Sequence, residues 1–236
     1  ANFQEVCQKT LVLLREMGSI ERIFLRVIQM IRSILKTTTC LAFAGILFAG
    51  CAQSDITRGL SEYNKGNLNK AEDIFDSILE VNPRDKKARI NRGLTHAAAG
   101  DYEKALEDYD EAIDIDDEYA RAYNNRGVVY YQMGNEAAAV DDYNMAIEHD
   151  DDYAAPWVNR GRVSYDDGDY QAAIDDANQA IERDDDYEAA YILRGEAQEE
   201  LGNNEAAIED YKVAYEENNE YQPAIEKLQE NGIDPA

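Results

Sequence analysis

The chain has 236 residues, 44% of them apolar, which is enough to bury a core rather than stay disordered. Beyond residue 50 it carries 46 acidic and 17 basic residues, a net charge of −29, which repels a phosphate backbone and excludes nucleic acid as a partner. Cys7, Cys40 and Cys51 are its only cysteines, so no disulfide can staple the acidic body, which must be held by packing.

Residues 1–29 show an amphipathic pattern (Leu11, Leu13, Leu14, Ile20, Ile23, Leu25, Val27, Ile28) ahead of a start-like Met30. This extension is either untranslated or removed together with residues 30–50. Residues 30–50 combine a short basic start (Arg32, Lys36), an apolar run from Cys40 and small residues before Cys51, the parts of a secretory signal peptide. The run falls short of the roughly 20 apolar residues of a spanning helix.

Leu47-Phe48-Ala49-Gly50-Cys51 resembles the lipobox of bacterial lipoproteins, although Phe48 stands where that family usually has Leu. The resemblance implies that Cys51 is lipidated and becomes the mature N-terminus, held at a membrane surface by several acyl chains. Ala52, rather than Asp, comes next, which under the sorting rule of enteric lipoproteins implies the outer membrane, on its periplasmic side or at the surface. The alternative is a buried or signal-anchor helix that happens to end in cysteine, leaving the body without a lipid.

After Cys51 a period of 34 governs the chain. Gly59, Gly93, Gly127, Gly161 and Gly195 obey it, as do Gly66, Gly100, Gly134, Gly168 and Gly202, and Ala71, Ala105, Ala139, Ala173 and Ala207. Each unit reads as two helices with apolar residues three and four apart, the first ending at the second glycine, where a left-handed conformation carries no steric cost. The first glycine and the alanine let the helices approach closely, and Phe75, Tyr109, Tyr143 and Tyr211 are expected to fill the space between hairpins. The units are 52–85, 86–119, 120–153, 154–187 and 188–221. Residues 222–236, with Pro223 in a first turn, read as a cap helix and tail.

These residues resemble the tetratricopeptide repeat family. Three features depart from its pattern: Tyr130 is the only aromatic three residues after a first glycine, Ala177 replaces an aromatic, and Pro83 is the only proline in a closing turn. The resemblance implies an all-α, right-handed solenoid of five hairpins, no catalysis, no cofactor, and other proteins, envelope proteins above all, as partners. It also implies a concave groove that takes a peptide or a helix. The groove places are Lys87, Asn91 and Leu94 in unit two; Arg121, Asn124, Asn125, Val128, Tyr131 and Gln132 in unit three; and Val158, Asn159, Arg162 and Tyr165 in unit four. Ile56, Leu60 and Tyr63 extend the groove at one end and the acidic Glu196, Glu199 and Glu200 at the other. Lipoproteins built from such repeats include adaptors for cell-wall hydrolases and proteases, and pilotins.

Other surface features read as structural. Asn91, Asn125 and Asn159 suit hydrogen bonds within the array better than a carboxylate clamp. Arg58, Arg92, Arg126, Arg160 and Arg194 are expected to lay their stems between hairpins and pair with the acidic turn of the preceding unit. The turns 114–118, 150–152 and 184–186 read as solvated acidic stretches, the alternative being loose cation binding by an acidic structural envelope protein. His96 and His149 have no metal-ligand spacing around them.

Overall fold

The computed structural model of the chain describes residues 55–234. The extension 1–29, the signal segment 30–50, Cys51 and Ala52 lie outside the described residues. Five helical hairpins succeed one another: α1 (55–64) with α2 (Leu68–Val81), α3 (Lys86–Ala99) with α4 (Tyr102–Ile115), α5 (Ala120–Gln132) with α6 (Glu136–His149), α7 (Ala154–Asp166) with α8 (Tyr170–Arg183), and α9 (Glu188–Glu200) with α10 (Asn204–Glu217). A single helix, α11 (Gln222–Glu230), closes the stack.

Local chemistry sets the ends of the helices. At the end of α3, Gly100 adopts φ 83°, and the Asp101 N–H returns to the His96 carbonyl at 2.9 Å, satisfying a carbonyl the helix leaves open. Asp85 opens α3 by accepting a hydrogen bond from the Ala88 N–H at 3.0 Å, and Asn135 and Asp169 cap α6 and α8 in the same way. The first helices α3, α5, α7 and α9 each pack on the second helix of their own hairpin and on that of the hairpin before it. The first helices also touch one another, which places them on the inner side of the stack.

The rings expected between hairpins instead lie within them. A Cβ on Gly93 would sit 2.7 Å from Cε1 of Tyr109, sixteen residues on, and Phe75, Tyr143 and Tyr211 crowd Gly59, Gly127 and Gly195 in the same way. That spacing runs up one helix and back down its partner, so the ring meets the glycine of its own hairpin. The fourth hairpin has Ala177 at that place, and the vacated space is taken by Leu193 of α9.

The repeating arginines pair differently from the sequence expectation. Arg92 grips Asp108 with Nε and Nη2, the latter at 2.6 Å, and reaches Asp76 with Nη1 at 2.7 Å. Arg126 joins Asp142 (2.7 Å) to Asp110 (2.6 Å), while Arg160 and Arg194 join Asp176 and Asp210, both at 2.6 Å, to Asn144 and Asn178. The partners thus lie on the second helices, one in the arginine's own hairpin and one in the hairpin before, and not in the acidic turns. The reason is geometric: the stem leaves the middle of a first helix and cannot reach a turn half a helix away.

The fork binds its carboxylate with two parallel N–H···O bonds, and these bonds raise the pKa values of Arg92 and Arg126 further despite burial. Asp108, Asp142, Asp176 and Asp210 are all buried. The ladder stops at both ends. Arg58 has Ile74 where the others have Asp, and it is mostly exposed beside Asp55 of its own helix. Leu228 of α11 takes the next arginine place and is fully buried.

Candidate functional site

Because the first helices repeat every 34 residues, their inner faces form rows that can be read across the stack. One row runs Leu60, Leu94, Val128, Arg162, Glu196; a second runs Tyr63, Ala97, Tyr131, Tyr165, Glu199; a third runs Asn64, Ala98, Gln132, Asp166, Glu200. Hairpins one to three therefore present apolar and neutral groups, and hairpins four and five present charged ones.

A cleft of about 270 Å³ opens in the first part, lined by Tyr63, Leu94, Ala97, Ala98, Tyr109, Asn125, Val128, Val129 and Gln132. It exists because Ala97 stands where the first, third and fourth hairpins carry Tyr63, Tyr131 and Tyr165. A tyrosine is missing, and the gap is open to the groove. Just under the roughly 300–1,000 Å³ of small-molecule pockets, it suits one bulky apolar side chain.

The second part is an ionic network. Arg162 pairs with Glu196 at 2.7 Å and lies over the Tyr165 ring, 5.1 Å from its centroid. Lys227 of α11 reaches Glu196, Glu199 and Glu230. Burial opposes the charged form of Glu199, but hydrogen bonds from Asn231 and Tyr211 prevail and hold its carboxyl below the ordinary range. Tyr131 donates its hydroxyl to Asp166 and so ties hairpin three to hairpin four. That bond, with burial, pushes its pKa up to about 12.

Of the residues assigned to the groove from sequence, Leu94, Asn125, Val128 and Gln132 come together around the cleft. Tyr131, Arg162 and Tyr165 line the charged part, half-buried. Lys87 and Arg121 are exposed in the first turns of α3 and α5, eleven residues before Ala98 and Gln132 and so about 16 Å away along the helix. They belong to the opposite rim, while the half-buried Asn91 holds in α3 the place that Asn125 holds in α5 and does not itself line the cleft.

Asn124 and Val158 are corrected: both are buried, at 4% and 8% exposure, and neither lines the cleft. Asn124 accepts a hydrogen bond from Asn159 Nδ2 at 2.8 Å, so these two asparagines join adjacent hairpins. Ala97, Ala98 and Val129 were not anticipated as lining residues, and the signal for the alanines was their smallness in an otherwise bulky register. Among the described residues no three His, Cys, Asp or Glu side chains are grouped to hold a metal ion, and no helix is long and apolar enough to cross a membrane.

Family models match this array over much of its length. A TPR repeat model matches residues 93–134, and two tetratricopeptide repeat models match residues 120–153 and 158–223. The chain is a tetratricopeptide-repeat protein. Such repeats generally mediate binding to other proteins and are generally non-enzymatic scaffolds.

Several solved structures share the tetratricopeptide-repeat fold with it. TTC0263, a TPR protein of Thermus thermophilus, is 20% identical with a TM-score of 0.68, covering 77% of this chain and 100% of that one. Pseudomonas aeruginosa pilF is 17% identical with a TM-score of 0.66, covering 78% of this chain and 86% of that one. YrrB, described as a TPR protein with an unusual peptide-binding site, is 16% identical with a TM-score of 0.51, covering 77% and 97%. At these identities the likeness establishes the fold alone. No curated protein matches the sequence.

Proposed function

We propose that this tetratricopeptide-repeat protein is a non-enzymatic adaptor that holds a segment of a partner protein in the groove of its first helices. We also propose that it does so at a bacterial membrane, to which the lipid on Cys51 fastens it. The cleft at Ala97 carries the groove reading. A repeat array gains nothing in stability from omitting a tyrosine that its own register supplies elsewhere, and the omission leaves apolar walls (Leu94, Val128, Tyr63) open to solvent. An apolar recess with amide groups at its lip, Asn125 and Gln132, is how peptide grooves combine affinity with orientation. The membrane reading rests on the signal-like segment and on how closely Cys51 precedes the first hairpin.

The test is Ala97→Tyr, which installs the residue of the neighbouring repeats and fills the cleft without foreign chemistry. Proteins that co-purify with the wild-type chain from its native membranes are expected to be lost with this variant while its melting temperature is kept. Undiminished co-purification would refute the groove. Intact mass of the mature protein tests the anchor: a diacylglyceryl-modified Cys51 at the N-terminus is expected, and an unmodified chain that begins elsewhere would refute it.

A further inference from the structure

The two halves of the groove differ in a way that specifies what lies in it. The cleft half is neutral: Leu94, Ala97, Ala98, Val128 and Gln132 carry no charge. In the other half Asp166, Glu196, Glu199 and Glu200 face two cations among the described residues, Arg162 and Lys227. Both cations are already engaged, Arg162 by Glu196 and Lys227 by Glu196 and Glu199. Glu200 is exposed at the end of α9 with no counter-ion among the described residues. Among the described residues Asp166 holds only the neutral hydroxyl of Tyr131. An excess of carboxylates thus lies at one end of a groove whose other end holds an apolar recess, on a body whose net charge of −29 deepens the negative potential.

We infer that the groove selects a bipartite segment: one bulky apolar side chain seated at Ala97, and Lys or Arg side chains over Glu200 and Asp166. This rests on the groove reading above and adds the chemistry and direction of the occupant. The spacing comes from the stack. Successive packed helices lie about 8–10 Å apart, so from Ala97 on α3 the helix of Asp166 (α7) is roughly 16–20 Å away and that of Glu200 (α9) roughly 24–30 Å. An extended chain covers roughly 3.3 Å per residue, so the basic residues stand roughly five to nine positions from the anchor. The anchor supplies apolar burial and the basic residues supply orientation and encounter rate, which salt weakens. Lys87 and Arg121 lie on the opposite rim and leave this path clear.

The test is selection of a random twelve-residue displayed peptide library on the full chain, with fluorescence anisotropy of the enriched peptides. The expected peptides carry Leu, Ile, Met, Phe or Trp about five to nine positions from two or more Lys or Arg residues. Their affinity falls about tenfold for Glu200→Gln with Asp166→Asn, falls again as NaCl rises from 50 to 500 mM, and is abolished by Ala97→Tyr. Peptides that are neutral or acidic, indifferent to the charge variants yet lost with Ala97→Tyr, would overturn the bipartite inference and leave the groove standing. Basic peptides indifferent to Ala97→Tyr would show unspecific attraction to an acidic protein, and failure to enrich any peptide would show no groove. Either result would overturn both readings.

Discussion

Leu193 of α9 packs against Gly161 of α7, in the space that an aromatic ring of the second helix fills in the other hairpins, because α8 carries Ala177 there. The two departures from the repeat compensate one another, since Leu193 itself stands where the second, third and fourth hairpins have Asn91, Asn125 and Asn159. Ala177→Phe alone should therefore overpack the interface and cost about 1–3 kcal/mol, and Leu193→Ala alone should leave a cavity costing about 2–5 kcal/mol. Combined, they should cost less than the sum by about 1 kcal/mol or more, as measured by urea denaturation. Strict additivity would mean that the ring and the leucine do not share the site.

The arginine ladder predicts an asymmetry between its two kinds of carboxylate. Asp142 has 7% side-chain exposure and Asp110 has 56%, although both bind Arg126. Arg126→Leu, which leaves Asp142 buried without its partner, should cost about 3 kcal/mol or more, whereas Asp110→Asn should cost roughly 0–1 kcal/mol. Arg126→Leu with Asp142→Leu should recover much of the loss. Equal costs for the two single variants would contradict the buried pairing.

Glu199 predicts part of the acid response. Its folded-state pKa lies below the ordinary value of 4.5, so it contributes stability that is complete above that value and is lost as pH falls through the folded pKa. Glu199→Gln should melt earlier than wild type at pH 7, and the gap should close as pH falls from about 5 toward 3. A gap that persists at pH 3 would mean that the residue acts through shape and not charge.

Tyr131 makes the opposite case at high pH. Its pKa of about 12 exceeds the ordinary 10, so its contribution is complete below pH 10 and is lost between there and 12. Tyr131→Phe should weaken the protein at neutral pH and remove part of its alkaline destabilisation, read as melting temperature against pH. An unchanged alkaline profile would show that the bond to Asp166 does not link the third and fourth hairpins.

How much of this was legible in the sequence depended on whether the signal was a presence or an absence. The glycines and alanines at period 34 placed the hairpins, because a left-handed turn at Gly100 and a ring against Gly93 each demand glycine. The arginine partners are on the second helices and not in the turns because acidic groups recur at period 34 in both places, and only the stacking of hairpins makes Asp108 and Asp76 the neighbours of Arg92. Asn124 and Val158 looked like groove residues by register, but their place turns into the next hairpin, as the Asn159 bond to Asn124 shows. The cleft was hardest to foresee because its cause is Ala97, a residue whose meaning lies in the tyrosine it lacks.

The central claim is that a partner occupies the inner face at the cleft, and a photo-crosslinking amino acid placed at Gln132 tests it most directly. Gln132 is exposed at the lip of the cleft, and Glu148, exposed on α6 of the outer layer, serves as the comparison. In native membranes, irradiation should join a discrete partner to the protein from position 132 and not from 148, and Ala97→Tyr should abolish that crosslink. A partner captured equally from both positions, or from 148 alone, would contradict the account.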